Sequence, residues 1–349
     1  MTELQVPNTM RAAVLKAKDT IEVEELPVPD LPPGGMIIRT SSVGICGSDV
    51  IKVRNTMSDE ERVIGHEIAG EVVLTDERAR ISYQIGDRVL VGHVHVPCMH
   101  CIFCRDGRYA MCSAFKNSQV VPGGFAQYVA VSADHTRHTV LPVPEEVSSD
   151  VATFVDPVAC CLNAIERASC KLNDRAAVVG VGTMGALFVQ LLDRMGVEVF
   201  AIDISDFRLQ KARHFGAAHT VNSSENDPVE AIQSLTSGIG VDVVFLTIVN
   251  QQIADQSFDM LRDGGTLLLF AGPVARGALE LDFYQFFRRD LAMLSSYSAS
   301  MANMGSALSL IAAGSIPVDE LISGTCDLDG ILTAILSMDE HTYKVIVKP

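Results

Sequence analysis

The sequence predicts an α/β protein of two domains, one a small, strongly bent β-barrel-like domain and the other a doubly wound parallel sheet covered by helices. Three observations predict this. A chain of 349 residues is long enough to bury two cores. Its first third reads as short β-type runs broken by Pro and Gly. From about residue 150, apolar strands alternate with amphipathic helices, as in a parallel sheet with both faces covered.

Between Met10 and Val131 the β-type runs are MRAAVLK, IEVEELPVP, MIIRTSSVGIC, EIAGEVVL and DRVLVGHVHV. The pattern changes near Pro142 and Pro144. VSSDVATFVDPVACCLNAIERAS then has helical spacing, with Ser148, Ser149 and Asp150 as a start signal. AAVVGVG reads as a buried strand, TMGALFVQLLDRM as a helix, VEVFAID as a strand, and SDFRLQKARHFG as a helix closed by Gly216. VDVVFLTIV, the helical QQIADQSFDMLRD, TLLLFAG and LAMLSSY continue the alternation. From about Ser298 the tail reads as mixed short elements ending in strand-like KVIVKP. A return of this tail to the first domain makes the second an insertion. The expected boundaries are therefore 1–153, 154–297 and 298–349.

Composition narrows the function classes. A net charge of −16 argues against a nucleic-acid partner, whose phosphates call for Lys and Arg. The uncharged stretch from Ala176 to Leu192 is interrupted by glycines, and a strand followed by a packed helix accounts for it better than a membrane span. The N-terminal residues carry no apolar leader. With nine cysteines, this points to a reducing, cytoplasmic setting in which thiols serve metals rather than disulfides.

Cys98, Cys101, Cys104 and Cys112 form a C-x2-C-x2-C-x7-C run within residues 98–112. Four thiolates on one short loop can converge on a tetrahedral cation, which makes a closed, structural zinc site. A different set precedes it. Cys46 in GICGSD and His66-Glu67 in IGHE supply a sulfur, an imidazole and a carboxylate. Three such ligands leave a fourth position open, as catalysis at zinc requires. Two zinc ions per chain are expected.

Gly180-Val181-Gly182-Thr183-Met184-Gly185 is G-x-G-x-x-G directly after an apolar strand and at the start of a helix. Asp203 follows at the end of the next strand. This is the setting of a dinucleotide site. The glycines allow the turn, the close approach of pyrophosphate and the helix–strand packing, while the acid takes the ribose hydroxyls. Asp203 would repel a 2′-phosphate and favours NAD over NADP. Arg208 and Lys211 stand nearby and could turn toward such a phosphate.

In this order, with GDRV at Gly86 to Val89 and GGFAQYV at Gly123 to Val129, the motifs resemble the zinc-dependent medium-chain dehydrogenases over nearly the whole chain. The likeness to sorbitol, deoxyinosamine and threonine dehydrogenases is strongest. The resemblance implies a GroES-like catalytic domain, a Rossmann domain, a cleft holding zinc and nicotinamide, and a homodimer or homotetramer. It also implies that Cys46 and His66 ligate catalytic zinc, with Glu67 in or just beyond the ligand sphere, and that Ser48 hydrogen-bonds the substrate oxygen. Asp156-Pro157 stands where polyol dehydrogenases carry Glu-Pro, and Asp156 would reach the metal directly or through water. Cys160 and Cys161 fall later than the expected ligand position. Ile51 replaces a relay histidine, and Ser298 stands where sorbitol-type enzymes have an Arg.

The expected activity is hydride transfer between NAD(H) and a secondary alcohol or ketone of a polyol, sugar, cyclitol or amino sugar. Asp49, Glu67 and Asp156 would suit a substrate amine. L-Threonine oxidation is an alternative within this chemistry, and a zinc-stabilised, non-catalytic NAD sensor is one outside it.

Overall fold

The computed structural model describes residues 6–55, 61–270 and 278–349. It forms two compact units, Met1–Asp156 with Ala299–Pro349, and Pro157–Ser298.

The second unit is built on a six-stranded, wholly parallel sheet. Its strand order is His219–Asn222, Glu198–Asp203, Arg175–Val179, Val241–Leu246, Leu261–Leu269 and Ala292–Ser295. The winding direction reverses beside Arg175–Val179, and such a switch point opens a crevice at the carboxyl ends of the strands. Ala176, Ala177 and Val178 are fully buried, because helices cover both faces. Phe188, from the helix Thr183–Arg194, meets Phe245 of the sheet at 4.8 Å between ring centroids. The edge strand His219–Asn222 and the helix Pro228–Leu235 are additions to the sequence reading. Asp227 caps that helix through the N–H groups of Val229 and Glu230, with Pro228 in the first turn where no N–H is needed.

In the first unit, seven strands form a mixed sheet. Ile322–Asp327, Lys344–Lys348, Met36–Gly44, Glu67–Thr75, Arg88–Val91 and Val140–Pro142 lie in that order, with Tyr128–Val131 also paired to Met36–Gly44. A separate three-stranded sheet joins Thr20–Pro27, Thr9–Ala17 and Arg62–Val63. Ile38, Ile68, Phe125 and Val129 fill the core of this unit. The strand-like tail thus pairs with the earliest long strand of the mixed sheet. Among the described residues, no helix is long and apolar enough to cross a membrane.

Three local readings are corrected. The run DRVLVGHVHV is a strand only over Arg88–Val91, because the Gly92 N–H turns to the Thr139 carbonyl at 2.7 Å. The segment after Ser148 is two helices, Ser149–Ala152 and Val155–Arg167. Pro157 has no N–H to offer the Thr153 carbonyl, so one continuous helix cannot run through. Ser148 does cap the first of the two, its hydroxyl accepting the Val151 N–H. The tail opens with a 12-residue helix, Met301–Ala312, started by a capping box of Ser300 and Asn303. Ala271 and Gly272, read as the end of a strand, lie outside the described residues, as do residues 1–5.

Candidate active site

Strand register assembles the first site. Met36–Gly44 and Glu67–Thr75 pair antiparallel with Gly44 opposite Glu67, so the residues just beyond that pair, Cys46 and His66, become neighbours. Cys46 leads into the helix Gly47–Asn55, and its carbonyl accepts the Asp49 and Val50 N–H groups at 2.9 and 3.2 Å. The ligand atoms of Cys46, His66 and Glu67 all lie within 4.8 Å of one another. Asp156 is buried in the first turn of its helix but is not part of this group. Cys160 and Cys161 also stay outside it; Cys161 is fully buried, its thiol 3.7 Å from the Met184 carbonyl.

Two neighbours that sequence reasoning missed or misplaced set the electrostatics. Asp49 is fully buried, accepts the Cys46 N–H at 3.2 Å, and has Oδ1 at 3.3 Å from His66 Nδ1 and 3.4 Å from Lys52 Nζ. Burial pushes the Asp49 pKa up, but His66, Lys52 and the Cys46 N–H outweigh it and leave it at about 2. Burial likewise lowers that of His66, yet Asp49 and Cys46 raise it well above the ordinary histidine value. The contact with Asp49 is not an aligned hydrogen bond, so His66 Nδ1 remains a buried nitrogen without one. Such a centre favours positive charge and fits a cation.

Lys344 is the second neighbour. Its strand lies on the other side of Met36–Gly44, with Ile346 opposite Gly44. Gly44 has no side chain, so Lys344 and Glu67 meet across it as a buried ion pair, and a Cβ at Gly44 would run into the Glu67 carboxylate. The Lys344 ammonium also lies 5.2 Å from the Phe154 ring centroid. Burial lowers the Lys344 pKa, but Glu67, Cys46 and Asp156 outweigh it and keep the charge in place. The expectation that Asp49 and Glu67 offer charge to a substrate amine is therefore corrected. Both carboxylates are enclosed and already balanced within the protein.

Ser48 is exposed in the first helical turn, and Ile51 is exposed one turn on, with no group that can carry a proton.

The four cysteines of the loop converge, with ligand atoms within 4.8 Å of one another. Cys101 Sγ lies 3.5 Å from Cys104 Sγ, and Cys98 Sγ lies 4.0 Å from it. The Cys98 N–H points at Cys112 Sγ and the Cys101 N–H at Cys98 Sγ, both at 3.4 Å. Burial and neighbouring thiols push Cys104 up to about 12. For Cys112 the Cys98 and Phe115 N–H groups overcome burial and bring it down to about 6. Sulfurs crowded this closely, and met by N–H donors, suit a thiophilic cation.

In the second unit, Gly180 takes φ +87°, a left-handed conformation that glycine adopts without strain. A Cβ at Gly185 would strike the Gly180 carbonyl, whereas one at Gly182 would meet nothing within 4 Å. The open side of the turn thus faces free space at the N-terminus of the helix Thr183–Arg194, a fit for pyrophosphate. Thr183 and Met184 are the first residues of that helix. Asp203 has a role that sequence reasoning did not assign it. Its Oδ2 accepts the Val181 N–H at 2.6 Å and its Oδ1 the Ser205 N–H at 3.0 Å, so it holds the turn in shape. Arg208 Nη1 stands 3.9 Å from Asp203, while Lys211 lies 5.6 Å over the Phe215 ring. The Ser298 carbonyl accepts the Asn163 side-chain amide at 2.8 Å.

Known proteins match both units. A family described as alcohol dehydrogenase GroES-like domain matches residues 32–145, and one described as zinc-binding dehydrogenase matches 180–313. Sorbitol dehydrogenase of Bacillus subtilis is 30% identical, covering 81% of this chain and 83% of that protein. Erythritol/L-threitol dehydrogenase of Mycolicibacterium smegmatis is 30% identical over 91% of each. A Sinorhizobium meliloti 1021 protein solved bound to NADP is 27% identical with a TM-score of 0.89, covering 98% of this chain and 100% of that one.

Proposed function

The chain belongs to the zinc-dependent medium-chain dehydrogenases, and from that premise we propose that it oxidises a secondary alcohol of a polyhydroxylated small molecule with NAD, and reduces the ketone in reverse. The observation that carries the reading is the Cys46–His66–Glu67 group, a three-donor set with Asp49 behind the imidazole and Lys344 behind the carboxylate. A non-catalytic sensor has no use for such a set.

Cys46, His66 and Glu67 would hold the catalytic zinc, with Asp156 as a further carboxylate, and Cys98, Cys101, Cys104 and Cys112 would hold the structural one. When bound, the catalytic zinc supplies Lewis acidity toward a substrate hydroxyl, and nicotinamide supplies the hydride acceptor. Asp49 fixes the imidazole ring of His66. Lys344 pairs with the Glu67 carboxylate and fixes its orientation. Ser48, on an exposed turn, would take the hydroxyl proton and pass it toward solvent, since Ile51 offers no next station. Gly180, Gly182, Thr183, Met184 and Gly185 cradle the pyrophosphate.

Asp203 supports NAD as the working cofactor because its charge opposes a 2′-phosphate; Arg208, already near that carboxylate, is the residue through which NADP would be admitted. The relatives that act on sorbitol and erythritol support a polyol over L-threonine, whose ammonium would find Asp49 and Glu67 already engaged. A homodimer or homotetramer in the cytoplasm completes the reading, in keeping with nine cysteines none of which is in a disulfide. The test is NADH formation by zinc-loaded protein with erythritol, sorbitol, L-threonine and simple secondary alcohols. Turnover of the polyols above threonine is expected, and failure of every alcohol would refute the reading.

A further inference from the structure

One hydroxyl–imidazole contact in the first unit lies outside the chemistry above. Ser132 follows the strand Tyr128–Val131 and precedes the short helix Ala133–His138. Its hydroxyl lies 2.7 Å from Nδ1 of His135, a residue that is 2% exposed. On the other side of the ring, Nε2 bonds the Val94 carbonyl at 2.9 Å. A carbonyl only accepts, so Nε2 carries the proton of the neutral imidazole and Nδ1 its lone pair. The Ser132 O–H is therefore the donor to the ring. Burial lowers the His135 pKa against the pull of the Val94 carbonyl, in keeping with a neutral ring.

Capping of the helix does not account for this geometry. The His135 backbone N–H reaches Ser132 Oγ at 3.4 Å, so the short bond is the one to the ring. Ser132 is half-buried, and together with His135 it lines a cavity of about 620 Å³. Asn117 and Gln119 line the same cavity and bring amide N–H groups, which suit an ester carbonyl. Asp134, also in the lining, is paired with Arg137 at 3.5 Å.

We propose that Ser132 is a second reactive centre, a nucleophile that accepts the acyl group of a small uncharged ester. His135 is its base, and the Val94 carbonyl orients that base, the arrangement by which an activated hydroxyl is recognised. Ser132 Oγ bonds the acyl carbon as its proton passes to His135 Nδ1. The ester C–O bond then breaks, and the proton leaves with the alkoxide as an alcohol. While the ring is cationic its bond to the Val94 carbonyl strengthens. These steps draw on neither of the sites described above, so the proposal stands or falls apart from the dehydrogenase reading.

The test treats wild type, Ser132→Ala and His135→Gln with a fluorophosphonate and with p-nitrophenyl acetate, and maps the adducts by peptide mass. Wild type should carry the phosphonyl or the acetyl group on Ser132, and prior acetylation should block the phosphonate. Ser132→Ala should lose the adduct. His135→Gln, checked for folding by its melting curve, should react roughly 10²–10⁴-fold more slowly, the range for lost base assistance. If that variant does not fold, the wild type decides alone. A wild type with no phosphonate on Ser132, or with acetyl groups only on lysines and cysteines, overturns the proposal. So does a folded His135→Gln that reacts as fast as wild type, since the ring then only braces the loop.

Discussion

Replacing Lys344 with Met tests the most unusual electrostatic arrangement in the protein. The side chains of Lys344 and Glu67 are 3% and 1% exposed, so loss of the ammonium strands a carboxylate that water cannot reach. Breaking a buried pair from one side costs about 3–5 kcal/mol, most of it the penalty of the charge left behind. In a unit of roughly two hundred residues this corresponds to a drop in melting temperature of roughly 6–20 °C. The strand that carries Glu67 also supplies a control. Arg39 and Glu71 are opposite one another on Met36–Gly44 and Glu67–Thr75, but their side chains are 44% and 27% exposed, so Arg39→Gln should cost at most about 1 kcal/mol after solvent screening. Removing both buried charges, in Lys344→Met with Glu67→Gln, should recover most of the loss. Denaturant unfolding of wild type, Lys344→Met, Glu67→Gln and the double variant in a double-mutant cycle, with Arg39→Gln alongside, measures this. A loss below about 1 kcal/mol in Lys344→Met, or a double variant as unstable as the two singles added together, would refute the reasoning.

Three further outcomes are expected. Metal analysis should find two zinc ions in the wild type; Cys101→Ser should lose one together with stability, whereas Cys46→Ala should lose the other and stay folded but inactive, and wild type purified without chelator yet free of zinc would contradict both assignments. Asp203→Ala frees the Val181 and Ser205 N–H groups, so fluorescence titration should show NADH and NADPH both bound about tenfold more weakly, with the NADH preference narrowed. Loss confined to NADH would mean the carboxylate reads ribose without supporting the turn. Ser48→Ala should cut kcat by roughly 10²–10⁴, the range for lost acid–base assistance, and near-normal turnover would move the proton path to Glu67 or Asp156.

Features that depend on neighbouring residues were open to sequence reasoning, and those that depend on distant register were not. The glycine turn, the cysteine loop and the alternation after residue 150 each write their geometry into a few consecutive positions. The break before Val155 was also readable, since Pro157 cannot donate to Thr153, but helical periodicity on either side masked it. The helix Met301–Ala312 is so evenly apolar and small-residue-rich that only its Ser300–Asn303 cap marks it. Asp49 looks like any acid in a first helical turn until the fold buries it against His66. Lys344 gives no local sign beyond being a charge at the start of an apolar strand. Its partner is 277 positions away, and only the order of three strands brings them together.

That separation bears on how the protein is made. Glu67 is synthesised early, on a strand whose neighbours Met36–Gly44 and Arg88–Val91 emerge with it, so a partial sheet can form at once. Its counter-charge arrives only after residues 157–298 have passed and have had time to fold as their own unit. Until then the carboxylate must stay in water, and the sheet lacks the strand that closes over Gly44. The first unit to begin folding on the ribosome is thus the last to finish. A translation pause or truncation before Lys344 would leave a complete nucleotide-binding unit beside an open sheet edge, the type of intermediate on which aggregation starts.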